Sequence, residues 1–324
     1  MQLLLDNVLQ YALSQNASDI HFIPSHSQVE VKLRVKDALI LYDTLNIDTY
    51  RKLITLLKYQ AGLDVSSRHK AQSGRYIYEH QSLYFLRVST LPLNLGIESC
   101  VIRITPQYFQ SSSNEATNDI KKIMEKKQGL ILFSGPTGAG KSTLMYQMVL
   151  YAKEHLNLNI ITIEDPVEQI LNGITQISVN EKANITYGTS LKAILRCDPD
   201  VILIGEIRDA KIAKDVIQAS LSGHLVLSTI HATDCSGVLL RLLEMGITKQ
   251  DLTQAVNLVI NQRLVTTKSY DRQLVYETMR HPEIQYFLTH NYQLPNEFIS
   301  LVDKLSSLEK EGVIDETTLR KYQK

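Results

Sequence analysis

The sequence predicts an α/β chain in which a parallel sheet carries a phosphate-binding loop and a smaller α+β domain precedes it. Three observations predict this. Residues 135–142 read Gly-Pro-Thr-Gly-Ala-Gly-Lys-Ser, a complete G-x-x-x-x-G-K-[ST] loop. Apolar runs at 130–133, 160–163, 201–204 and 225–229 alternate with segments of helical period, the order of a sheet covered on both faces. The stretch 110–118, Gln-Ser-Ser-Ser-Asn-Glu-Ala-Thr-Asn, is polar and without period. It reads as a linker between an N-terminal domain, 1–109, and a larger domain, 119–324.

Taken in order, 1–11 places Leu3, Leu4, Leu5, Val8 and Leu9 around Asp6 and Asn7, an amphipathic helix. Residues 29–36 alternate strictly, with Val29, Val31, Leu33 and Val35 on one face, and predict a half-buried strand. Lys36-Asp37-Ala38 turns the chain into a second strand at 39–42. A helix follows over 49–61, closed by Gly62, and further strands over 83–88 and 100–104. Past the linker, 130–133 feeds the loop and 143–153 reads as a helix. Beyond Gly246 the pattern turns helical, at 251–261, 282–289 and 295–310.

Composition excludes several classes of partner. Of 324 residues, 44% are apolar and 21% charged, and Lys plus Arg equals Asp plus Glu at 34 each. No global field draws the chain to nucleic acid or anionic lipid, so no direct nucleic-acid contact is expected. Cys100, Cys197 and Cys235 are widely spaced and offer neither a disulfide framework nor a zinc site, as in a reducing compartment. No apolar run approaches the roughly 18–20 residues of a membrane span. The N-terminus has no basic leader, so the expected location is cytoplasmic, with any membrane link made through a partner.

In the loop, Gly135, Gly138 and Gly140 let successive N–H groups turn inward to phosphate oxygens, and the helix after it adds its positive end. Gly135, Pro136, Thr137, Gly138, Ala139, Gly140, Lys141, Ser142 and Thr143 are thus the candidate nucleotide-binding residues. Lys141 reaches the β- and γ-phosphates, and the Ser142 hydroxyl is the Mg²⁺ ligand. Three further clusters follow strands of the same sheet. In Ile161-Thr-Ile-Glu-Asp-Pro-Val-Glu168, Glu164 and Asp165 end a strand where carboxylates could hold Mg²⁺ through water or orient an attacking water. In Asp198-Pro-Asp-Val-Ile-Leu-Ile-Gly-Glu-Ile-Arg-Asp209, Gly205 takes the place of the usual strand-end aspartate. Glu206 is the leading candidate to prepare the hydrolytic water, with structural pairing to Arg208 as the alternative. In Gly223-His224-Leu-Val-Leu-Ser-Thr-Ile-His231, the two histidines flank a strand. With no cysteine at ligand spacing they suggest phosphate sensing rather than a metal.

These clusters, in this order, resemble the secretion ATPases of type II secretion, type IV pili and competence pseudopili. Ala17-Ser-Asp-Ile-His21, Ala61-Gly-Leu-Asp64, Gly74-Arg75, Arg87-Val-Ser-Thr-Leu-Pro92, Leu191-Lys-Ala-Ile-Leu-Arg196 and Gln262-Arg-Leu264 extend the resemblance from about residue 17 to 280. It implies a hexameric ring of subunits, each pairing a PAS-like N-terminal domain with a RecA-like motor domain. Nucleotide sits between the two, and Arg75 and Arg87, with Arg103 a further candidate, act on its phosphates. By their own pattern these arginines read as exposed residues of half-buried strands. The resemblance implies ATP and Mg²⁺ as cofactors and a polytopic membrane platform protein as partner, with pilin-like proteins reached indirectly.

Departures narrow the expectation. The family's P-Q-D-G-R reads Ala71-Gln-Ser-Gly-Arg75, its G-E-K becomes Gly96-Ile-Glu98, and its L-R-Q-D-P-D becomes Leu195-Arg-Cys-Asp-Pro-Asp200. No cysteine lies between Gln262-Arg-Leu264 and Arg272–Glu277, so the four-cysteine zinc module of larger members is absent. On this reading neither a long N-terminal extension nor the retraction motors' A-I-R-N-L-I-R-E type signature is expected. The chain is most similar to the competence pseudopilus assembly ATPases of Gram-positive bacteria, which implies a part in DNA uptake. The alternatives are a retraction or general secretion motor of the same family, a RecA-like nucleic-acid translocase, and a non-catalytic nucleotide-binding scaffold.

Overall fold

Alternation along 28–35 buries Val29, Val31 and Leu33 and turns the charged residues between them outward, and the N-terminal part of the chain is built on this pattern. The computed structural model describes residues 1–36, 38–80, 82–93, 96–106 and 118–322. All but the last residue of the expected linker, and Asp37 of the expected turn, lie outside the described residues. The chain divides into two compact units, Met1–Phe109 and Gln110–Lys324.

The first unit runs α1 (Gln2–Ser14), β1 (Asp19–Pro24), β2 (Gln28–Val35), β3 (Ala38–Asn46), α2 (Ile47–Gln60), β4 (Gln72–His80), β5 (Ser82–Pro92) and β6 (Glu98–Pro106). Its sheet has the order β3-β2-β1-β6-β5-β4, and neighbouring strands are antiparallel. Leu5, Val8 and Leu9 of α1 and Tyr50, Leu53 and Leu57 of α2 share one core with Ile20, Phe22, Leu86, Val88 and Ile102 of the sheet. Asn46 caps α2 by accepting the Thr49 N–H at 2.7 Å. A buried ion pair, Lys58 Nζ to Glu98 Oε1 at 2.6 Å, ties α2 to β6. Lys58 also donates to the Ser67 carbonyl at 2.7 Å and so fixes the loop before β4. With one sheet face covered by the helices, the residues that alternate with the core line the other. Arg75, Arg87 and Arg103 are register neighbours there, on β4, β5 and β6.

The second unit runs α3 (Asn118–Lys121), β7 (Gly129–Ser134), α4 (Lys141–Leu156), β8 (Ile160–Glu164), β9 (Thr175–Ser178), α5 (Tyr187–Ile194), β10 (Val201–Ile204) and α6 (Ala210–Leu221). It continues with β11 (Leu225–Thr229), α7 (Cys235–Glu244), α8 (Lys249–Ala255), β12 (Val256–Thr266), β13 (Arg272–Arg280), α9 (His281–Thr289), α10 (Leu301–Lys310) and α11 (Glu316–Arg320). The sheet order is β13-β12-β7-β11-β10-β8-β9, parallel throughout except for the β12–β13 hairpin. Period-two alternation separates two cores. Ile131, Phe133, Leu203 and Leu227 pack with α4, whereas Leu130, Leu132, Ile202 and Val226 pack with α5, α6 and α7. The expected α/β architecture with its parallel sheet is present, and so is the antiparallel N-terminal sheet.

The C-terminal expectations need correction. The helix expected over 251–261 ends at Ala255, and Val256–Thr266 is a strand beside β7. An apolar run such as Val256 to Ile260 reads equally as buried helix or buried strand, and pairing with β7 decides for strand. The helix expected from 295 begins at Leu301, where Ser300 and Asp303 form a capping box. Strands β1, β4, β9 and β13 were not expected. Among the described residues no helix is long and apolar enough to cross a membrane.

Candidate active site

β7, β8, β10 and β11 run parallel in matched register, so Ser134, Glu164, Ile204 and Thr229 end side by side and the loops after them share one edge of the sheet. That edge is where open α/β sheets bind ligands. The loop between β7 and α4 has the shape the sequence expects. Gly138 and Gly140 have φ of +79° and +84°, which L side chains rarely adopt. At Gly135, φ is +138° and a Cβ would lie 2.5 Å from the Gln262 carbonyl oxygen. Pro136, Thr137 and Gly138 are exposed, Ala139 is buried, and Lys141, Ser142 and Thr143 open α4 half-buried. Lys141 Nζ donates to the carbonyls of Gly135 at 2.8 Å and Pro136 at 3.0 Å. Burial lowers the Lys141 pKa, with Arg263 adding to the shift and Glu206 and Glu168 opposing it. A glycine cradle with a half-buried ammonium at its mouth fits a polyphosphate.

The carboxylates expected to act together are divided. Glu164 turns inward and is buried. It accepts hydrogen bonds from Tyr146 Oη, from Thr162 Oγ1 at 2.7 Å and from Gln176 Nε2 at 3.3 Å. Asp165 and Glu206 stay nearer the surface and share Arg208, which bonds Glu206 Oε1 and lies 2.8 Å from Asp165 Oδ2. The alternative partner of Glu206 raised by the sequence is therefore present. His231 Nε2 stands 3.6 Å from Glu206 Oε2.

Burial raises the Glu164 pKa, against hydrogen bonds from Thr162, Tyr146 and Gln176 that lower it. The folded state then holds the proton more tightly than the unfolded chain. Its stabilising contribution is complete below the ordinary carboxylate range and fades as pH rises through the raised value. Glu164→Gln is expected to flatten this: as pH rises from the ordinary carboxylate range through the raised value, its unfolding midpoint declines less than the wild type's. Parallel pH curves for the two proteins would refute the shift.

The histidines also separate. His231 follows β11 at the loop edge, but His224 precedes it, and its carbonyl accepts the Gly129 N–H at the start of β7. The 5 residues of β11 put roughly 17 Å between them at about 3.3 Å per residue. This corrects the phosphate-sensing role expected of His224 beside the loop, where only His231 remains. Arg75 and Arg87 belong to the first unit; Arg87 Nε donates to Ser73 Oγ at 3.3 Å, and Arg103 Nε to Asp19 Oδ1 at 2.9 Å.

Other contributors had no assigned role. Gln262, fully buried on β12, donates through Nε2 to the Ala139 carbonyl at 2.7 Å, and so braces the phosphate loop from the neighbouring strand. Arg263 donates to the Thr233 carbonyl at 3.0 Å and flanks Gly135. Ser134 Oγ donates to the Ala232 carbonyl and accepts the Ala232 N–H, both at 3.0 Å, joining the end of β7 to the histidine loop. Gln262-Arg-Leu264 was visible as a motif, but its function depends on β12 being a strand.

The sequence profile of the type II/IV secretion system protein family matches residues 1–290. The chain belongs to that family. It is 40% identical over 266 residues to the competence protein ComGA of Bacillus subtilis (strain 168), covering 80% of this chain and 74% of that one. It is 42% identical to competence protein ComGA of Halalkalibacterium halodurans, covering 81% and 77%. The type II secretion system protein E of Xanthomonas campestris pv. campestris is 36% identical, and the match spans 81% of this chain but 47% of that one. The fold is similar to that of the pilus retraction motor PilT with bound ADP, with a TM-score of 0.79 at 24% identity over 98% of this chain and 96% of that one.

Proposed function

We propose that this chain is an ATP-hydrolysing, ring-forming motor that drives assembly of a competence-type pseudopilus and thereby DNA uptake. The observation that carries the reading is the shared edge of the parallel sheet, where β7 leads into a glycine loop ending in Lys141 and β10 leads towards Glu206. The competence assignment is supported by family members of that name, 40–42% identical over about four-fifths of this chain. In this reading the second unit is RecA-like, the first is PAS-like, and residues 110–118 link domains 1–109 and 119–324.

The backbone N–H groups of residues 135–143 cradle the phosphates, and Lys141 exchanges its two carbonyl partners for phosphate oxygens. Ser142 would hold Mg²⁺, which when bound supplies charge neutralisation at the transferring phosphoryl group. Glu206 takes the proton of the attacking water, and His231 orients that carboxylate. Glu164, with its lone pairs engaged by Tyr146, Thr162 and Gln176, positions α4 against β8 rather than touching water. Arg75 and Arg87, of this chain or of a neighbouring copy, neutralise charge developing on the phosphates. The ring is a homo-hexamer at the cytoplasmic face of the membrane, coupled to pilin-like proteins through a polytopic platform protein.

The purified protein is expected to hydrolyse ATP and to sediment as a hexamer, and a strain deleted for it to lose transformation. Excess surface pili in that strain would instead make it a retraction motor. DNA-stimulated turnover with salt-sensitive DNA binding would make it a nucleic-acid translocase.

A further inference from the structure

Tyr187 opens α5, and its place is firmly set. Thr186 and Thr189 form a capping box at that helix start, and Leu191 and Ile194 anchor the helix in the core on the α6 side of the sheet. The side chain is 9% exposed, and its hydroxyl is buried without a hydrogen-bond partner. A buried hydroxyl left unpaired costs free energy, so such an orphan calls for an explanation. Its position supplies one. A Cβ on Gly205 would lie 2.9 Å from Tyr187 Oη, 3.3 Å from the Glu164 Cα and 3.5 Å from the Ile163 carbonyl. The phenol hydroxyl therefore lies over Gly205, where β8 and β10 end. A Cβ at 205 would press on that hydroxyl and on the β8 backbone.

The charges around this hydroxyl are those of the candidate site. Burial pushes its pKa up; Arg208 pulls it down, and Asp165, Glu206 and Glu164 push it further up. The phenol therefore stays protonated and is a donor at every physiological pH. Arg208, meanwhile, holds both Asp165 and Glu206. Its bond to Glu206 occupies Oε1 and fixes the carboxylate's orientation, so freeing that carboxylate for water means loosening the clamp. Arginine matches phosphate oxygens as well as it matches carboxylates, so a polyphosphate within reach would be a competing partner for Arg208.

We propose that Tyr187 is a positioning residue for hydrolysis: its hydroxyl is the donor that holds the Asp165–Glu206 strand ends when phosphate draws Arg208 away from them. The inference rests on the ATPase reading above. It explains why the hydroxyl is unpaired while Arg208 is engaged. A tyrosine serving only as core would keep its full value as phenylalanine.

The test is Tyr187→Phe in the full-length protein, with ATP turnover followed at varied ATP concentration. The expected result is a kcat lower by about ten- to a hundredfold, the range of one hydrogen bond to a charged group, with KM for ATP unchanged. The unfolding midpoint without nucleotide stays the same or rises, since an orphan hydroxyl has been removed. In an Arg208→Ala background the same substitution is expected to be non-additive, because both donors serve the same carboxylates. An unchanged kcat, or a kcat loss matched by a lower unfolding midpoint, overturns the proposal while leaving the ATPase reading intact. A wild-type protein that does not hydrolyse ATP overturns that reading and this inference together.

Discussion

Glu206→Gln is expected to lower ATP turnover by about 10²- to 10⁴-fold, the usual contribution of a positioned general base, while ATP still binds. The substitution keeps the shape of the side chain and an oxygen for Arg208, so the geometry at the end of β10 persists and only the basic group is lost. Glu206 is well suited to the role: its carboxylate is about a quarter exposed, within the field of Lys141, and 3.6 Å from His231 Nε2. Its pair with Arg208 is half-exposed, and such pairs contribute about 0–1 kcal/mol to stability, so the unfolding midpoint should barely move. The measurement pairs single-turnover hydrolysis with equilibrium binding of ATP. Hydrolysis at the wild-type rate would remove Glu206 from the role of base and turn attention to Asp165, which shares Arg208.

Features set by short-range chemistry were legible in the sequence. The phosphate loop follows from three glycines and a lysine at fixed spacing, and the parallel strands from apolar runs bounded by polar segments, two of which, β10 and β11, have the expected bounds. The features that escaped depend on pairing between distant segments. Val256–Thr266 is a strand because β7 offers it an edge, and nothing within the run itself selects strand over helix. Once β12 is in place, Gln262 lies beside Ala139 and the phosphate loop gains a brace that spacing alone could not reveal. The histidines show the same limit. His224 and His231 both flank β11, but strand direction sends one to each end, and only the direction of the sheet tells which end carries phosphate. Glu164 and Asp165 are adjacent in sequence and face opposite ways because successive side chains alternate as β8 ends. Tyr146, one turn into α4, then claims the inward one.

Lys141→Ala is expected to reduce turnover by at least about 10²- to 10³-fold, the scale of losing one preorganised donor to developing negative charge, and to weaken ATP binding as well. Removing Glu206 should spare the ground state, whereas Lys141, in the proposed role, would act on both ground and transition states because its charge would face phosphates throughout. Stability should change little. Lys141 is a half-buried cation whose pKa burial has lowered, so the fold holds it at some electrostatic expense, and alanine relieves that. The Gly135 and Pro136 carbonyls lose their donor, but Pro136 is exposed and water can replace the ammonium there. Lys141→Arg is the sharper control. It keeps the charge, but a planar guanidinium cannot turn into the narrow space between those two carbonyls and the phosphates as an ammonium on a flexible stem does. Turnover close to that of Lys141→Ala would show that the loop needs a compact point charge, whereas recovery to the wild-type rate would mean that charge alone suffices. In either variant a folded protein with an unchanged unfolding midpoint ties the loss to the phosphate site and not to the fold.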